Sequence, residues 1–129
     1  MHQTEVLDPQ GRVISVDTKD TTLVVTADGF LISRQNQVVA LAASYAVPAM
    51  YPLSQYVAAG GLMSYGPDYP DLFRKAAEMV DKILRGTKPS DIPVEQPTKF
   101  EFAINAKTAA ALGLTIPQTF LATVDEVLK

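Results

Sequence analysis

The 129 residues include no cysteine and a single histidine, His2, beside the amino end. The first absence excludes a disulfide scaffold, a thiolate zinc site, an iron–sulfur cluster and a cysteine nucleophile together. The second leaves a serine–histidine triad or a histidine-held metal centre with almost nothing to be built from. No uninterrupted apolar run approaches the ~20 residues of a membrane span. An excess of either charge is missing too, since 11 basic and 14 acidic side chains leave a net charge of −3. Without a basic stripe to neutralise phosphates, nucleic acid is not an expected partner. The first twenty residues carry Glu5, Asp8, Asp17 and Asp20 and lack the basic start and apolar stretch of an export signal. Gly60 and Gly61 have neither the following lysine nor the glycine spacing of a phosphate-cradling loop, so no nucleotide, metal or other cofactor is expected.

What is present is enough for one domain: 47% of the side chains are hydrophobic and 19% charged. A chain of this length can bury roughly 65–70% of the surface that its unfolded form exposes. Residues 1–10 are polar and aperiodic, residues 12–16 are a first candidate strand, and residues 17–20 read as a turn. The β-branched run 21–26 follows, with an apolar centre that suggests a strand covered on both faces, and a hairpin of the two segments is expected. Ser33 is placed to cap a helix whose apolar positions Val38, Leu41, Ala42 and Tyr45 recur at helical spacing to about Ala46.

A strand over 47–51, a short helix over 54–59 and a strand over 62–65 come next. The clearest helix opens at Asp68-Tyr69-Pro70, where proline suits a first turn that does not need its amide hydrogen, and closes at Gly86. Its Leu72, Phe73, Ala76, Met79, Val80, Ile83 and Leu84 form one apolar face, which is expected to be core. Pro89, Pro93 and Pro97 make 87–97 a crossing loop. An alternating strand over 99–104, a helix capped by Asn105 and ended by Gly113, and a last short helix between Pro117 and Leu128 complete the chain. Strands alternating with helices predict an α/β fold, a mainly parallel sheet flanked by helices.

In such sheets ligands gather where strands end and helices begin. Three segments meet that description: 26–30, 51–54 and 64–68. Asp28 can accept hydrogen bonds from an amine or hydroxyl of a solute, or equally from its own backbone in a turn. Tyr51 and Tyr65 can pack a ligand ring, or simply finish a core. Glu95 and Glu101 read as solvated charge, with no visible partner for acid–base work. No base or oxyanion arrangement accompanies Asp28 or Ser64, so catalysis is not expected.

From about Leu23 onward the chain resembles the carboxy-terminal part of the periplasmic substrate-binding proteins of ABC transporters, in the tryptophan/tyrosine-type branch. The resemblance rests on 23–28, 38–43, 46–51, 96–101, 105–109 and 111–117, and above all on Ala59-Gly60-Gly61-Leu62-Met63-Ser64-Tyr65-Gly66. It implies part of the second lobe of a two-lobed protein that closes on a small organic solute such as an amino acid and delivers it to an ABC permease in the periplasm, without catalysis. The ligand-binding residues it implies are Asp28, Tyr51, Ser64, Tyr65 and Gly66. After Asp28, relatives often carry proline and aromatic residues, where this chain has Gly29-Phe30-Leu31. Residues 1–20 do not look like the family, so the expected division is a divergent segment 1–20, with a candidate edge strand, and a partial lobe 21–129. The missing lobe leaves a sheet edge and apolar surface to be covered, by residues 12–16 or by pairing of two chains. A homo-oligomer is therefore expected, and the alternative to solute carriage is an oligomerising or regulatory module that has lost its ligand.

Overall fold

The computed structural model describes residues 3–7, 13–17 and 22–129. Two strands, β1 (Gln3–Leu7) and β2 (Val13–Asp17), pair antiparallel with Leu7 opposite Val13. This overturns the expected hairpin, because the strand at 13–17 takes its partner from the segment before it. Most of the expected turn at 17–20 lies outside the described residues. So does Thr21, the first residue of the run expected to form the next strand.

The main sheet has five strands in the order β3 (Leu23–Val24), β4 (Ala49–Tyr51), β5 (Met63–Pro67), β6 (Phe100–Asn105) and β7 (Glu126–Leu128). β3, β4 and β5 run parallel, β6 is antiparallel to β5, and β7 is parallel to β6. Three of the four pairings are thus parallel, as expected of an α/β layer. Because β6 is reversed, its amino end lies at the rim where β3, β4 and β5 have their carboxyl ends. Among the described residues nothing pairs with the outer edge of β3.

Asp28 starts the first crossover. Its backbone is extended and its side chain accepts from the amides of Phe30 and Leu31, so helix α1 (Gly29–Ser33) begins there. Ser33 is therefore not the cap that its sequence position suggests; it ends α1, and its hydroxyl donates to the Phe30 carbonyl at 2.7 Å. Helix α2 (Gln35–Ser44) follows a break at Arg34. It stops where Ala46 takes a φ of 53° and the Val47 amide returns to the Ala42 carbonyl at 2.9 Å.

Helix α3 (Ser54–Ala58) joins β4 to β5, and α4 (Tyr69–Leu84) joins β5 to β6 with Asp68 as its cap. Asn105 caps α5 (Ala106–Ala111), with its side chain accepting from the Thr108 amide at 3.0 Å. The last expected helix is only α6 (Gln118–Leu121); the chain then extends into β7, whose pairing with β6 overrides a weak helical pattern.

The main buried cluster lies on one face of the sheet, and Ile104 is buried on the other. In that cluster Val25, Ala49 and Tyr51 meet Val39 and Ala42 of α2 and Tyr56 of α3. Full burial of a large side chain is worth on the order of 2 kcal/mol, and the stacked rings of Tyr51 and Tyr56, 4.9 Å apart, add about 1 kcal/mol. The run through β3 is covered on the face of that cluster alone: Val25 is buried, whereas Val24 on the other face is 69% exposed. The apolar face of α4 is not core either. Phe73 is 72% exposed, Leu84 81%, and Val80 and Ile83 are also exposed. A helical stripe states which side requires cover, not whether the same chain supplies it.

Candidate functional site

The rim gathers the three segments expected to converge. Asp28 leaves β3 exposed to solvent, with its Oδ1 accepting from the Phe30 amide at 2.9 Å and the Leu31 amide at 3.3 Å. It is a turn aspartate bonding its own backbone, and its Oδ2 is not engaged by any described residue. Tyr51 and Ser64 are adjacent rungs of β4 and β5, both buried, beneath the rim. Burial, reinforced by Tyr56, pushes the Tyr51 phenol up to about 12. Burial also raises Tyr56, and so does the Asp28 carboxylate. The Tyr56 hydroxyl and Ser64 Oγ are buried without a partner among the described protein groups.

Tyr65, the next residue along β5, points to the opposite face of the sheet. It is 51% exposed, stacked on Phe100 at 5.5 Å and edge-on to Phe102 at 6.0 Å. Gly66 returns to the first face and passes so close to the β4–α3 loop that a Cβ would lie 2.0 Å from the Pro52 carbonyl oxygen. The five candidates thus divide: Tyr51 and Ser64 below, Asp28 and Gly66 at the rim, and Tyr65 across the sheet.

Beside Gly66 a cleft of about 380 Å³ opens between the β4–α3 loop, the end of β5, the first turns of α4 and β6. Its floor includes Pro52, Leu53 and Pro67; Tyr69, Pro70 and Phe73 wall it on the α4 side. The Ser54 hydroxyl donates to Glu101 Oε2 at 3.2 Å across it. Glu101 is half-buried, which corrects its reading as a solvated charge, while Glu95 is exposed. A second depression, of about 460 Å³, is walled by the single stretch 33–37 at the break between α1 and α2, so no separate elements converge on it. Among the described residues no three His, Asp or Glu side chains gather to hold a metal.

A family model described as ABC transporter substrate binding protein matches residues 5–128. The chain belongs to that family. The tyrosine-binding protein of Clostridioides difficile strain R20291 is 30% identical over 102 residues, which make up 79% of this chain and 30% of the relative. Among solved structures, the ABC domain in complex with L-Trp from Streptococcus pneumonia is 31% identical with a TM-score of 0.78, over 86% of this chain and 38% of that one. A conserved domain protein from Vibrio cholerae O1 biovar eltor reaches a TM-score of 0.79 at 25% identity, over 85% and 38%. The chain therefore spans 30% to 38% of the length of these relatives.

In this member of the ABC substrate-binding family, the cleft is lined by side chains that the sequence reading did not offer as binding candidates, among them Ser54, Tyr69, Phe73 and Glu101. One signal was available for Glu101: the alternation in β6 puts it on the same face as the buried Ala103. Nothing comparable marked Ser54, which reaches Glu101 from a distant loop.

Proposed function

We propose that this chain is a solute-binding part of an ABC-type importer, taking a small organic solute such as an amino acid and passing it unchanged to an ABC permease outside the cytoplasm. The observation that carries this reading is the rim, where the ends of β3, β4 and β5 meet the start of β6 around a cleft. Strand ends of α/β sheets are where ligands bind, and the family is one of substrate-binding proteins. The names of two relatives, one tyrosine-binding and one in complex with L-Trp, favour an aromatic amino acid. Among the described residues no helix is long and apolar enough to cross a membrane. In this reading, residues 21–129 are the part of the second lobe that bears the site, while the family match itself begins at residue 5. Asp28 and Gly66 meet the solute, Tyr51 and Ser64 shape the rim from beneath, and Tyr65 contributes from the far face of β5.

Native mass spectrometry of the purified chain tests the proposal, because one spectrum reports both subunit count and any retained small molecule. A solute of amino-acid mass is the expected result. Asp28→Ala and Tyr65→Ala should then each weaken that solute roughly tenfold, about 1.4 kcal/mol; unchanged affinity in both removes them from the site. The exposed apolar face of α4 favours a second reading, an oligomerising or regulatory module without ligand. An empty dimer in the same spectrum is its signature.

A further inference from the structure

The cleft beside Gly66 holds an acid without a matching base. Glu101 Oε2 accepts one hydrogen bond, from the neutral hydroxyl of Ser54. Among the described residues no lysine or arginine pairs with Glu101, and Arg74, Lys75 and Lys99 are all drawn instead to Asp71. A half-buried carboxylate that accepts from a single neutral hydroxyl keeps acceptor capacity for further donors, a cation among them. The rest of the lining is ring-bearing and mostly uncharged: Tyr69 and Phe73 on α4, prolines 52 and 67 at the loop ends, and the amide of Gln55. Such a lining accommodates an apolar or aromatic body, and ring faces attract a cation held near them. The volume, about 380 Å³, falls within the roughly 300–1,000 Å³ of small-molecule sites. No lysine or arginine lines the cleft, and its side-chain donors, on Ser54, Gln55 and Tyr69, are neutral, so the one side-chain charge it presents is that of Glu101.

We infer that Glu101, oriented by Ser54, receives the ammonium group of an amine-bearing solute whose apolar or aromatic body rests against Tyr69 and Phe73. The inference rests on the solute-binding reading above and deepens it, since it states which end of an amino acid this cleft recognises. Repulsion from the Glu101 charge keeps the carboxylate end away from that side chain.

Titration calorimetry with three probes on the full chain tests this: L-tyrosine, tyramine, and the deaminated analogue para-hydroxyphenylpropanoate. The wild type is expected to bind L-tyrosine and tyramine, and the deaminated acid at least tenfold more weakly. Glu101→Gln keeps the shape and an acceptor for the Ser54 hydroxyl but removes the charge. It should weaken L-tyrosine and tyramine at least tenfold and leave the deaminated acid unchanged, with the thermal midpoint of the variant confirming its fold. Equal binding of tyramine by wild type and Glu101→Gln overturns the assignment while solute binding stands. A wild type that binds none of the three removes an aromatic amino acid as the solute, and this assignment with it.

Discussion

Gly66 links a residue choice to the position of a whole loop. A Cβ there would meet the Pro52 carbonyl oxygen at 2.0 Å, a backbone atom that cannot swing aside. Gly66→Ala must therefore push the end of β5 away from the β4–α3 loop, and overpacking of this kind costs about 1–3 kcal/mol. A lowered urea midpoint at unchanged slope is the expected outcome, and the cleft lined by both segments should open with it. An unchanged midpoint would mean that the close approach is not maintained in solution. At the same scale, the neighbouring Tyr51 and Ser64 show why side-chain chemistry alone overstated the site: both are suited to binding, and both are buried under it.

Among the elements, α4 is held by its first turns. Asp68 caps it, with Oδ1 accepting from the Asp71 amide at 3.0 Å, and the Asp68 amide donates to the Lys99 carbonyl at 3.0 Å. Lys75 donates to Thr98 at 2.8 Å. The Asp71 side chain, little exposed, gathers Arg74, Lys75 and Lys99. The hydrogen bond from Arg74, with the Lys75 and Arg74 charges, holds its carboxyl below the ordinary 3.8 against the opposing effect of burial. A carboxyl lowered on folding contributes stability above its unfolded value and loses it as pH falls through the folded one. Asp71→Asn should thus lower the thermal midpoint at neutral pH, and the gap to wild type should narrow once pH falls below about 3.8. A gap that stays constant into acid would show that the substitution acts through packing instead of charge.

Seen whole, the molecule presents an apolar stripe along a 16-residue helix, with Phe73, Val80, Ile83 and Leu84 exposed. A contiguous exposed apolar stripe of this kind marks a surface suited to a partner. Pairing of two copies would bury such a stripe by a self-complementary contact. Light scattering at micromolar concentration should then report a dimer, and Val80→Glu with Leu84→Glu, both away from the cleft lining, should return it to a monomer. A clean wild-type monomer would remove the pairing and with it the oligomer-based second reading.

Much of the fold could be read from local pattern. Asn105 and Asp68 start helices because a short polar side chain at an extended position satisfies free amides, and the alternation through β6 follows from the two-residue period of a strand. The family resemblance was likewise legible in the block around Gly60 to Gly66. Local pattern failed where a decision depended on a distant partner. Ser33 and Asp28 are both competent caps, and the chain's path out of β3 selected Asp28. The segment at 13–17 is a strand in either pairing, and only the assembled structure gave it β1 for a neighbour. The stripe of α4 was visible, but its exposure was not, because hydrophobic period encodes a face and not what covers it. Glu101 belongs to the same class: its sequence says charge, while its meeting with Ser54, 47 positions away, is a consequence of α3 packing on β6. The sequence by itself determined most of the central elements, from β4 to α5; tertiary structure decided the strands at either end and which acids, rings and edges face one another, because such contacts join residues far apart along the chain.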